Sequence, residues 1–318
     1  MGKKFTGEDK LLRELYRLVR EINEKGIKTR ASYKSHMRNF LRFYWREYHG
    51  QKISNIEGKH IRAYVAYMKE RKLSPNTIKS RLSGIRFYHE KAGGKKNLPD
   101  NNELGLEKRK SGTYDRAWTL DEVKDGVKVA TDMGRMDACH AIYLSFAFAL
   151  GIEEVCRVRR EDIEKAITYD GLTIKGKGGQ VRTYPVEFEI QKKVLRYFYD
   201  YAKKNNLLPH DYIISPRGKG GVEKQINSLE NWMYTNRHKF AVPNREDEIR
   251  DGKKPRSKNI TWHGLRYARA QLQYEKYKAE GRENPKKMTS KVLGHNRDTI
   301  TPVYLADLPP GRQKKQYD

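Results

Sequence analysis

Cysteine is scarce in this chain. Cys139 and Cys156 are the only two in 318 residues and neither stands in a paired motif, which argues against a disulfide framework and a cysteine-built zinc site and for a reduced, cytoplasmic protein. No apolar run approaches the roughly 20 residues that span a bilayer. The opening MGKKFTGEDK is charged with no apolar core behind it, so no secretory leader is expected. There is no low-complexity tract and no internal repeat. The KGKGG run at 175–179 lacks the GxxxxGK[ST] spacing and follows no βαβ unit, so a nucleotide-binding P-loop is excluded.

Acidic residues are also few: 40 Asp and Glu face 67 Lys and Arg, a formal net charge of +27 with pI near 9.8. An excess that large points to a polyanion as partner, although a merely solubilising surface is the plainer alternative. At 318 residues the chain is long enough for two domains with separate cores.

Apolar periodicity reads mostly as helix. Leu11, Leu12, Leu15, Leu18, Val19 and Ile22 predict a helix over 8–25. A second runs from a Thr29 cap to a stop at Gly50, with Met37, Phe40, Leu41 and Tyr44 inward. A third begins near Ser54 or Glu57 and carries Ile61, Tyr64, Val65 and Met68. The fourth has Ser74 as cap, Pro75 in its first turn and Gly93-Gly94 as stop. This makes residues 1–94 a compact helical domain. Basic residues recur on it: Lys34, Arg38, Arg42 and Arg46 at four-residue spacing, and Lys79, Arg81 and Arg86 on the last helix. They suit DNA phosphates or a solvated face about equally.

Residues 95–116 turn polar and Lys-rich and read as a basic linker. The second domain, 117–318, opens on a Thr119 cap with Glu122 three residues on, a capping box. The apolar run from Asp137 to Ile163 reads as one core helix. Two short strands around Gly178-Gly179 predict a hairpin or three-stranded edge sheet. Helices follow at 189–204 and 225–238. The fold class is mainly α with a small antiparallel sheet.

Near the C-terminus, TWHGLRYARA sets His263 and Arg266 three residues apart, on one helical face. His295 follows in a Leu-Gly-His step and Tyr304 nine residues after it. A guanidinium forks onto phosphate oxygens, an imidazole moves protons near neutrality and a phenol can be a covalent nucleophile. Taken singly, each has a structural reading too: a Tyr in an apolar run is usually core, and Lys177 beside Lys175 is an ordinary hairpin lysine.

The ordered set of HGLR, LGH and a following Tyr resembles the tyrosine recombinase (phage integrase) family. The resemblance implies a SAM-like core-binding domain followed by a catalytic domain, together clamping duplex DNA. It implies that Tyr304 attacks a DNA phosphorus, leaving a 3′-phosphotyrosyl link and a free 5′-hydroxyl, with no metal and no other cofactor. Arg266 would bind a phosphate oxygen, His263 would assist Tyr304, His295 would orient the phosphate and Lys177 would protonate the leaving oxygen. Glu154 matches the family's acidic organiser. A homotetramer on double-stranded DNA, accessory DNA-bending or directionality proteins, a nucleoid location in a prokaryotic or viral setting and no membrane partner complete the implied picture. A type IB topoisomerase, with the same chemistry as a monomer, is a weaker alternative.

One residue departs from the family pattern. A first catalytic Arg is expected three residues before the acid, and ALGIEEVCRVRREDI places Gly151 there. Loss of one such cation costs about 3 kcal/mol, or 10² to 10³ in rate. Arg157, Arg159 and Arg135 are candidates to replace it. The other reading is a DNA-binding pseudo-recombinase of a mobile element that no longer cuts.

Overall fold

The computed structural model describes residues 6–107, 116–176, 179, 181–242 and 260–293. The chain divides into two compact units, Met1–Lys110 and Ser111–Asp318.

The first unit holds helices α1 (Gly7–Glu21), α2 (Ile27–Tyr48), α3 (Gly58–Glu70) and α4 (Pro75–Lys91). The hydroxyl of Thr6 accepts from the backbone of Asp9 at 3.2 Å and starts α1. That helix ends at Glu21, four residues before the predicted stop, because Ile22 is extended. Helix α2 begins at Ile27, so Thr29 lies inside it rather than capping it. Ser74 caps α4 with Pro75 in its first turn. The core is Leu11, Leu15, Phe40, Leu41, Tyr64, Ile85 and Tyr88, all at most 2% exposed. Helices α2 and α4 approach closely at Gly84, where a Cβ would stand 3.0 Å from Tyr33 Cα and 3.1 Å from His36 Cβ.

Much of the predicted linker belongs to this unit. Leu104 and Leu106 are buried in its core. Arg86 donates to the carbonyl of Pro99 at 2.6 Å and to Asn101 at 3.1 Å, which ties residues 99–101 to α4. The polar composition hid two leucines and an internal arginine staple.

The second unit contains α5 (Leu120–Asp132), α6 (Met136–Phe148), α7 (Ile152–Val155), α8 (Arg160–Thr168), strands β1 (Gly171–Lys175) and β2 (Val181–Pro185), then α9 (Glu189–Lys204), α10 (Gly221–Asn236), α11 (Trp262–Ala279) and α12 (Pro285–Val292). Helix α6 is its centre, with Ala138, Ala141, Ile142, Leu144 and Ala147 fully buried; α5, α9, α10 and α11 all pack on it. A helix apolar on every side must be enclosed in this way. The run predicted as a single helix is three: Ala149 takes a left-handed conformation (φ 53°) and breaks it. Among the described residues the sheet has two antiparallel strands, with Leu172 opposite Tyr184 and Ile174 opposite Arg182.

Candidate active site

The break at Ala149 creates the site. Its carbonyl accepts from Arg266 Nη1 at 3.1 Å. Two residues on, Gly151 leads into the single turn of α7, and its N–H donates to Glu154 Oε2 at 2.8 Å. That same oxygen lies 3.3 Å from Arg266 Nη1. Arg266 Nη2 donates to the carbonyl of Leu293 at 2.5 Å, one of the carbonyls that the C-terminus of α12 leaves without a helical partner. Arg266, 6% exposed, therefore joins α6, α7 and α12.

A second guanidinium reaches the same carboxylate. Arg182 Nη1 on β2 lies 3.6 Å from Glu154 Oε1 and 3.4 Å from the Leu293 carbonyl. Each carboxylate oxygen of Glu154 thus faces a different arginine.

His263 stands in the first turn of α11, one turn before Arg266, with its ring edge-on to Tyr267 at 5.2 Å. Crowding by protein atoms, then the charges of Arg266 and Arg116, push its pKa down to about 4. The residue is nonetheless solvent-exposed, and water reduces the size of this lowering. The imidazole is neutral at pH 7, the form that accepts a proton.

Of the other predicted residues, Lys177, His295 and Tyr304 lie outside the described residues. The three substitutes for the missing arginine are engaged away from Glu154: Arg157 with Glu223 at 3.6 Å, Arg159 with Glu161 at 3.4 Å, and Arg135 with Asp137 at 2.8 Å. Sequence reasoning passed over Arg182. Its signal was alternation: Val181 and Thr183 face outward and Tyr184 is buried, so Arg182 shares the inward side of the strand with Tyr184. A charged residue there calls for a partner.

Cys156 is buried and its thiol is pushed up to about 12 by desolvation, so it is no nucleophile. Among the described residues no cluster of His, Cys, Asp and Glu could hold a metal, and no helix is long and apolar enough to cross a membrane.

On the first unit, α2 presents Lys34 over the Tyr16 ring at 4.9 Å, Arg42 beside Glu8 at 3.3 Å, and Arg46. Arg38 is half-buried. On α4, Lys79 donates to the Glu107 carbonyl, and Arg81 interacts with Tyr64. Arg86 is spent on Pro99 and Asn101.

Residues 12–96 match the family described as phage integrase, N-terminal SAM-like domain. The chain superposes on a lambda integrase tetramer bound to a Holliday junction, with TM-score 0.62 and 18% identity over 96% of this chain and 79% of that one. A lambda integrase dimer bound to a core site gives 0.59 and 18% over 97% and 99%. The Tn1549 transposon integrase in complex with circular intermediate DNA gives 0.54 and 14% over 95% of both. The fold is that of these integrases. The N-terminal domain and the fold expected from the resemblance are both found. No curated protein matches the chain. Within this fold Arg266 sits on the helix that carries His263, and its carboxylate partner Glu154 sits on α7.

Proposed function

We propose that this chain is a site-specific tyrosine recombinase that cuts and rejoins duplex DNA, with no metal or nucleotide cofactor. The observation that carries the reading is the buried Arg266, fixed by Glu154 and two carbonyls on the helix that bears a neutral His263. A guanidinium held in this way is a preorganised charge for a phosphodiester in transition.

In the reaction, the Tyr304 oxygen attacks phosphorus in line and its proton passes to the neutral imidazole of His263. The bond from phosphorus to the 5′-oxygen breaks, and Lys177 gives that oxygen a proton. The products are a 3′-phosphotyrosyl link and a 5′-hydroxyl. Arg266 takes up charge on the equatorial oxygens and His295 donates a hydrogen bond to them. A second 5′-hydroxyl then reverses the step on another duplex, so bond energy is conserved. The first unit grips DNA through α2, catalysis belongs to the second, and the working assembly is a homotetramer on DNA in the cytoplasm.

The test is covalent capture on a nicked duplex carrying the ends of the genetic element that encodes the chain. A denaturant-resistant adduct that Tyr304→Phe abolishes is the expected result. A second reading, a DNA-binding pseudo-recombinase, is favoured by Gly151 alone; it requires DNA binding with no adduct.

A further inference from the structure

Position 151 is open as well as empty of charge. Its backbone is extended (φ −72°, ψ 156°), and among the described residues the one atom near an added Cβ is Glu154 Oε2 at 3.5 Å. Among the described residues nothing blocks a Cβ there, yet the chain has no arginine at this position. With Glu154 ionised, Arg266 and Glu154 cancel, and a site of those two alone offers a phosphate no net positive charge. The nearest arginines along the chain are paired elsewhere.

We propose that Arg182, on the neighbouring strand, supplies the missing guanidinium and contacts the scissile phosphate. The inference rests on the recombinase reading above. Arg182 approaches the free oxygen of Glu154 and shares the Leu293 carbonyl with Arg266, so it restores two cations around one carboxylate and one net positive charge. Its contacts of 3.4 and 3.6 Å are looser than those of Arg266, and its side chain is 21% exposed against 7%. Arg266 is the more deeply buried member of the pair, and Arg182, which also interacts with Tyr184, is the more exposed one. Arginine suits the task because it stays charged at every working pH and presents a planar fork. It moves no proton; it stabilises charge on the non-bridging oxygens while Tyr304 displaces the 5′-oxygen.

The experiment measures adduct formation on the nicked duplex at saturating DNA for the full chain, Tyr304→Phe, Arg182→Ala, Arg182→Lys, and Arg182→Ala combined with Gly151→Arg. DNA binding and thermal midpoint are followed in parallel. The expected result is a Tyr304-dependent adduct in the parent and a loss of roughly 100-fold or more in Arg182→Ala, the size seen when one charge-stabilising donor is removed. The double substitution restores the rate without restoring the thermal midpoint, because the charge returns from another element. A parent-like rate in Arg182→Ala overturns the inference while the recombinase reading stands. So does a rate in the double substitution as low as in Arg182→Ala, which makes Arg182 a packing residue. If the parent yields no adduct under any condition, both readings fall together. If only chains with Gly151→Arg react, Arg182 does not replace the lost group.

Discussion

Trp118 and Gly264 touch along backbone and side chain. The Trp118 N–H donates to the Gly264 carbonyl at 3.3 Å, and a Cβ on Gly264 would stand 2.6 Å from Trp118 Cδ1 and 2.5 Å from the Arg116 carbonyl. The indole N–H of Trp118 also donates to the Thr261 carbonyl at 2.9 Å. The glycine between His263 and Leu265 is therefore required by close approach, and it sets where the imidazole stands. Gly264→Ala is expected to lower stability by about 1–3 kcal/mol, the usual cost of overpacking, and to slow adduct formation by moving His263. Gly151→Ala is the control: among the described residues its Cβ meets only Glu154 Oε2, at 3.5 Å, and its thermal midpoint should stay near the parent's. Equal midpoints for the two variants would refute the close-approach account.

The neutral state of His263 has a kinetic signature. Its pKa is lowered by desolvation and by two flanking arginines, to about 4, so the base is available well below the ordinary histidine range. Adduct formation at limiting DNA reports ionisations of the free protein. The acid limb assignable to His263 should be centred below the ordinary histidine range. An acid limb centred near 6.5 that disappears in His263→Gln would contradict this.

Much of the helical layout was readable because its signals are local. Thr119 and Glu122 form the expected capping box, with the Glu122 N–H donating to Thr119 Oγ1 at 3.1 Å, and α9 occupies the predicted 189–204. Helix α10 starts four residues earlier than expected, at Gly221. The features that build the site are non-local. Nothing around Ala149 demands a left-handed residue; the carbonyl it frees is taken by Arg266, 117 positions away. Leu104 and Leu106 looked like linker because their buried partners lie in α1–α4. On the hairpin that carries Lys177, Arg182 alternates with the exposed Val181 and Thr183, and an inward arginine on a strand is the clue to a carboxylate nearby.

Acid should destabilise the second unit through His140. The residue is 2% exposed, and its Nε2 lies 2.9 Å from the Tyr197 hydroxyl. Burial lowers its pKa from 6.5 to about 4, with Asp137 opposing. Between those values the unfolded chain binds a proton that the folded chain refuses, so stability falls as pH drops from 6.5 toward 4. The full loss is about 3 kcal/mol. His140→Gln should be less stable than the parent at pH 7 and should lose less stability on acidification. Urea denaturation of both proteins at pH 7 and pH 4.5 decides this; parallel losses would exclude His140 as the source.

The basic row on α2 separates a DNA-gripping face from a merely solvated one. Lys34 lies over Tyr16, Arg42 pairs with Glu8, and Arg46 pairs with Glu47 and lies against Phe43 and Tyr67; these are surface contacts, and exposed ion pairs are worth little in water. The three side chains are therefore available for phosphates, each released counterion adding about 0.9 to the magnitude of the slope of log affinity against log salt. Replacing all three with Gln should reduce that magnitude by about 3 and weaken binding to specific and random duplexes alike. Arg86→Gln should behave differently. Its guanidinium is held by Pro99 and Asn101 inside the first unit, so the variant should lose stability while the salt slope of the folded protein stays unchanged. Fluorescence anisotropy with a labelled duplex across a salt series distinguishes the two. An unchanged slope in the α2 variant would mean that this row faces solvent in the complex as well.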